Sequence, residues 1–263
     1  EVEACDWGED PRHVDYGKIY ESRFAILAKA KARGYARDYE DVQAFCQENE
    51  QWLDNYALYM ACKKHFGMKA WSEWEDKDIR MHHPEAVEKY RRDLQEDMEL
   101  FIYIQYLFFK QWNALRAYIN DLGIEIIGDL PIYVSMDSAD VWAEPEYFVL
   151  NEERIPLEVA GVPPDYFSED GQLWGNPIYD WEAMAKDGYG WWIRRIEGAG
   201  KLYDVIRIDH FIGIVRYYKI PVNESAKKGS FAWGPGLKLL KALDESIGEA
   251  KIIAEDLGVL VPE

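Results

Sequence analysis

The chain has 263 residues, 48% of them hydrophobic, and a formal net charge of −19. That is enough apolar material for one large domain or two small ones, and it excludes global disorder. The acidic balance argues against nucleic acid and against anionic membrane surfaces, because both need a basic footprint. Three cysteines (Cys5, Cys46 and Cys62) without C-x-x-C spacing argue against a disulfide framework or a zinc ribbon. Reduced thiols and a cytoplasmic location are the expectation. The acidic start EVEACDWGED lacks the apolar run of a signal peptide, and no stretch of about 18 apolar residues would span a bilayer. With no initiator Met and an abrupt stop at GVLVPE, the sequence reads as a fragment of a longer chain.

In chain order, residues 1–123 read as a mainly helical subdomain. Apolar positions recur at helical spacing over 18–34, which closes at Gly34 as a C-terminal cap. Two short helices are expected over 38–67, and one long helix from Pro84 to Gly123. From residue 124 the pattern changes to β-branched runs at 124–132, 202–213 and 250–258, the last preceded by the helical stretch LKLLKALDESIG. Apolar strands alternating with helices predict a parallel sheet with helices outside. Residues 133–200 lie between the first two strands and are rich in Trp, Gly and Pro. They are expected to form a long functional loop. The chain carries 11 Trp, 18 Tyr and 10 Phe. An aromatic-rich core would account for most of them. Trp174, Trp191, Trp192 and Trp233, beside Gly, Pro and Asn, look more like loop residues able to stack flat ligands such as sugar rings.

Each of the three strands ends in an acid followed by a turn: Asp129, Asp209 and Glu255. In an α/β barrel the active site gathers at the C-terminal ends of the strands, where such acids converge. Strand alternation places Val205, Arg207 and Asp209 on one face and Ile206 and Ile208 on the other. Arg207 then lies beside Asp209 and favours its ionised form. An ordinary inward ion pair would also fit this pattern. Three strand-end acids beside a Trp-rich segment suit glycosidic bond cleavage better. That chemistry needs one carboxylate to attack and one carboxylic acid to protonate the leaving oxygen. Asp209 is assigned as nucleophile and Glu255 as acid/base.

The motifs GDLPIYVSMDSADVW (128–142), VAGVPPDYFSEDGQLWGNPIYDW (159–181), VIRIDHFIG (205–213), WGPG (233–236) and IIAEDLG (252–258) resemble those of the 4-α-glucanotransferases of glycoside hydrolase family 77, the amylomaltases or disproportionating enzymes. The resemblance runs through the whole sequence. It implies part of a (β/α)8 barrel with helical insertions, truncated at both ends, and transfer of α-1,4-glucan segments between maltodextrins without a cofactor. It supports the roles of Asp209 and Glu255, and it places Arg207, His210, Asp129, Asp165, Gln172, Trp174 and Asp256 around the sugar, with 161–167 as a lid. A strand-end histidine bonded to a backbone carbonyl is the plainer reading of His210. The sequence departs from the family at Ile212, where an arginine is frequent. It also lacks the downstream His-Asp motif that carries a third catalytic carboxylate. Half a barrel would leave strand edges open to pairing between copies. Two rival readings follow, a non-catalytic glycan-binding or structural fragment and an α-glucan hydrolase. His82 and His83 are adjacent, without further ligands nearby, so no metal is expected. No nucleotide-binding glycine motif occurs.

Overall fold

The computed structural model describes residues 1–10, 12–166, 168–246 and 251–255. Helices come first: α1 (Tyr16–Gly34), α2 (Tyr39–Glu48), α3 (Leu53–His65), the single turn α4 (Lys77–Arg80), α5 (Pro84–Asp93) and α6 (Gln95–Asp121). Strands and helices then alternate as β1 (Ile127–Leu130), α7 (Ala139–Ala143), β2 (Glu158–Val162), β3 (Gln172–Pro177), α8 (Trp181–Lys186), α9 (Gly190–Leu202), β4 (Val205–Ile208), β5 (Arg216–Pro221), β6 (Ser230–Trp233), α10 (Leu237–Ser246) and β7 (Lys251–Ala254). Among the described residues no helix is long and apolar enough to cross a membrane. The chain divides into two compact units: Glu1–Met68 with Glu85–Gln111, and Lys69–Pro84 with Trp112–Glu263.

The first unit is helical. Asp15 starts α1 by accepting the Lys18 N–H at 3.1 Å, which satisfies a donor that the helix itself cannot. Its core gathers Val42 and Phe45 of α2, Leu53 of α3, and Tyr103 and Tyr106 of α6. One buried acid, Asp38, is held inside this unit. It accepts the Tyr103 hydroxyl at 2.8 Å and the Arg37 guanidinium at 2.8 and 3.0 Å. The guanidinium, then the hydroxyl, hold its carboxyl down at about 2. Gly34 was expected as a cap, but it is the last helical residue. A methyl group there would run into the Tyr103 hydroxyl, so the glycine makes room for the Asp38 bond. The long helix expected from Pro84 is interrupted at Leu94, although the bonds from Leu94 N to Tyr90 O and from Met98 N to Leu94 O continue across the break.

The second unit contains two sheets. The first is parallel, in the order β1-β4-β7, and is built from two successive β-α-β steps in which α9 packs against β1 and β4 and α10 packs against α9. Ile206 and Ile208 are fully buried, as their alternation requires, and burial of each contributes about 1.5–3 kcal/mol. Asp204, just before β4, fixes the start of this sheet. It accepts Ile126 N–H and Asn120 Nδ2 at 2.8 Å each, and Arg116 Nε and Nη2 at 2.9 and 2.6 Å. Burial alone would push its carboxyl up. The Ile126 N–H, Asn120 and Arg116 outweigh burial and hold it at about 2.

The second sheet is antiparallel, in the order β3-β2-β5-β6. It corrects the expectation of a structureless loop over 133–200, because that stretch contains α7, β2, β3, α8 and most of α9. Trp191 and Trp192 are likewise buried core residues of α9 rather than loop platforms. Their rings pack with Tyr179, and Arg195 lies over both. Of the four tryptophans singled out, Trp174 and Trp233 are the exposed ones.

Candidate active site

Register brings the strand-end acids together. Asp129 of β1 pairs with Arg207 of β4, and Arg207 pairs with Ile253 of β7. The parallel ladder continues past both strand ends, with Asp209 N–H donating to Leu130 O at 3.0 Å and Glu255 N–H to Ile208 O at 3.1 Å. Asp209 and Glu255 are therefore level on neighbouring strands, which are spaced about 4.8 Å apart. Both lie on the face of Arg207.

The guanidinium is shared three ways. Arg207 Nη1 is paired with Asp129 and lies 3.2 Å from Asp209 Oδ1, while Nη2 is 3.0 Å from Glu255 Oε1. Glu255 is the most enclosed of the three acids, its side chain 13% exposed against 43% for Asp209 and 61% for Asp129. Its other oxygen accepts the backbone N–H of His210 at 2.5 Å. Arg207 favours the ionised form of Asp209, as expected, but it is opposed. Burial first, and then the facing Glu255 carboxyl, raise the Asp209 carboxyl above its ordinary value, and Arg207 offsets only part of this. A cation divided among three acids has too little charge for each.

His210 adopts a left-handed backbone (φ 49°), which turns the chain from β4 into the 3-10 turn Phe211–Ile214 and aims its N–H at Glu255. Gly213 permits this turn: a methyl group there would strike Ile132 and the His210 ring. Burial pushes the His210 ring below its usual value, which favours neutral imidazole. The ring stands edge-on to Trp174, with centroids 5.0 Å apart. Trp174 is 37% exposed and donates its indole N–H to Gln172 Oε1 at 3.0 Å. One expected residue thus carries the next, and Gln172, Trp174, His210, Glu255, Arg207, Asp209 and Asp129 form a connected chain of contacts. Asp165 is exposed in the 163–166 segment and accepts the Ser168 N–H at 2.7 Å, closing its own turn. Asp256 and Phe167, the last residue of the expected lid, lie outside the described residues.

The sequence reading missed a group of side chains that holds the segment after Asp129. Asn176 Nδ2 donates to Val134 O at 2.8 Å and the Tyr179 hydroxyl to Ile132 O at 2.8 Å. Arg195 donates to Pro131 O and Ile132 O at 2.5 and 3.1 Å. These bonds span 42 to 64 residues of sequence, and no local pattern signals them.

A family model described as 4-alpha-glucanotransferase matches residues 2–263. The chain belongs to that family, glycoside hydrolase family 77. A 4-alpha-glucanotransferase of Streptococcus pneumoniae is 48% identical over 265 residues, covering 100% of this chain and 52% of the relative. That of Thermus thermophilus is 43% identical over 267 residues, covering 100% of this chain and 53% of the relative. The solved amylomaltase from Streptococcus agalactiae, in complex with acarbose, superposes with a TM-score of 0.94 at 44% identity, over 99% of this chain and 53% of that one. The chain spans about half the length of these family members.

Proposed function

We propose that the chain is the part of a 4-α-glucanotransferase that carries the nucleophile and the acid/base, acting on α-1,4-glucans such as maltodextrins in the cytoplasm. The observation that carries this reading is the Asp209–Glu255 pair, level on adjacent parallel strands and bridged by the Arg207 guanidinium. The strand spacing of about 4.8 Å agrees with the roughly 5 Å of a retaining pair rather than the roughly 6.5–9.5 Å of an inverting one. The reaction needs one proton on this pair, carried by the acid. With that proton on Glu255, Asp209 attacks the anomeric carbon. The glycosidic C–O bond breaks, Glu255 protonates the leaving oxygen, and a covalent glycosyl-Asp209 ester remains. Glu255 then takes the proton of an incoming sugar hydroxyl, which attacks the same carbon and releases Asp209.

Trp174 is the stacking platform for a sugar ring, Gln172 fixes its indole, and Asp129, Arg207 and His210 border the reacting sugar. Asp165 and Asp256 are assigned to the sugar subsites on resemblance. The 161–167 segment is a lid that keeps water from the ester, so that transfer outruns hydrolysis. The β1-β4-β7 sheet is one wall of a (β/α)8 barrel, and β1 and β7, the outer strands among the described residues, are the edges that further strands or a second copy would cover. Residues 1–123 are the helical insertion and 124–263 the catalytic wall.

The test is maltotriose with the full-length protein. Glucose plus longer maltodextrins is the expected product pattern, and a net gain in reducing ends would mean hydrolysis instead. Asp209→Asn should abolish transfer, and near-wild-type disproportionation by that variant would remove Asp209 from the nucleophile's role.

A further inference from the structure

Tyr133 is buried, with 7% of its surface exposed. Its ring stacks on Tyr179 at 5.6 Å and 25°, and meets the half-exposed Trp174 at 6.3 Å and 58°. Among the described residues its hydroxyl has no hydrogen-bond partner, and burial is the chief influence pushing that phenol above its ordinary value. Several other buried tyrosines are bonded within the protein: Tyr103 donates to Asp38, Tyr179 to Ile132 O and Tyr218 to Ala226 O, each at 2.8 Å. The Tyr133 hydroxyl is not among the side-chain atoms shut away from water without a partner, so it opens to solvent beside Trp174, where a ligand hydroxyl could take the place of water.

Tyr133 is also held in place through its main chain. The backbone on both sides is held, by Arg195 at Pro131 O, by Arg195 and Tyr179 at Ile132 O, and by Asn176 at Val134 O. The phenol is thus fixed next to the same Trp174 ring that touches His210.

We propose that Tyr133 is a glucan-binding residue whose hydroxyl exchanges a hydrogen bond with a hydroxyl of the glucose unit stacked on Trp174. This rests on the α-glucan reading of the site and adds a division of labour to it. Trp174 supplies contact with the flat apolar face of any pyranose. Tyr133 selects the orientation in which a sugar hydroxyl meets the phenol hydroxyl.

Tyr133→Phe in the full-length protein separates these roles, because it keeps the ring and its packing and removes only the hydroxyl. The Kd for maltotetraose, by calorimetry, should rise about 10-fold, or about 1.4 kcal/mol. The melting temperature should not fall, since no internal bond is lost. A Kd within twofold of wild type overturns the inference, because a purely packing role predicts that result. A markedly lower melting temperature also overturns it, since it would mean that the hydroxyl is bonded within the protein. Failure of the wild type to bind maltotetraose defeats it as well. Binding without transfer from maltotriose would instead defeat the catalytic reading, while Tyr133 is still decided by its own Kd.

Discussion

Replacing Arg207 by leucine removes the cation that touches Asp129, Asp209 and Glu255 at once. The Arg207–Asp209 contact of 3.2 Å corresponds to about 1 kcal/mol of attraction in bulk water and about 5 kcal/mol at an effective dielectric near 20. The two side chains are 32% and 43% exposed, so solvent screens much of this and about 2 kcal/mol is the appropriate figure. The sign follows from the Asp209 carboxyl already lying above its ordinary value, with Arg207 as the influence holding it down. Loss of Arg207 raises it further, so the nucleophile is protonated over a wider acid range. In the full-length protein, kcat/KM for maltotriose disproportionation should fall about 30-fold at the acid end. The deficit should shrink steadily towards alkaline pH as Asp209 ionises. A deficit that is constant across the profile, or a variant equal to wild type at the acid end, would refute the reasoning.

Trp174→Ala should weaken maltotetraose binding roughly 5- to 10-fold through loss of the stacking surface, and unchanged affinity by calorimetry would count against that platform. Asp204→Asn should destabilise the protein by about 1–2 kcal/mol in urea unfolding at neutral pH, because the charge-assisted bonds to Arg116, Asn120 and Ile126 N–H weaken. The Asp204 carboxyl is depressed in the fold, so its contribution is present above its ordinary value of 3.8 and is lost as pH falls towards about 2. The gap between wild type and variant should therefore close over that interval, and a gap that persists there would place the effect elsewhere.

The three parallel strands were legible because each is a short β-branched run with helices on either side, and the acid at each end is a local feature of sequence. Their convergence was legible for the same reason, since alternation alone puts Arg207 and Asp209 on one face. How Arg207 divides its charge was not legible. That depends on the register of three strands more than 40 residues apart, and local parity pairs it only with Asp209. The antiparallel sheet was missed because its strands read as turns. QLWGNP carries Gly, Asn and Pro, and SFAW is four residues long, so what makes them strands is pairing with β2 and β5. Trp191 and Trp192 misled in a similar way. Gly190 beside them is the first residue of α9, entered from Tyr189 in a left-handed conformation, and the helix turns both indoles inward.

The bond from the His210 backbone to Glu255 has one more consequence. The residue directly after the proposed nucleophile holds the proposed acid, so the two groups share a single peptide hinge. A strain that rotates His210 out of its left-handed conformation would withdraw support from Glu255 as it shifts Asp209. The two carboxyls are thus geared together, and substitutions near residue 210 should damage bond breaking and proton delivery in step rather than separately.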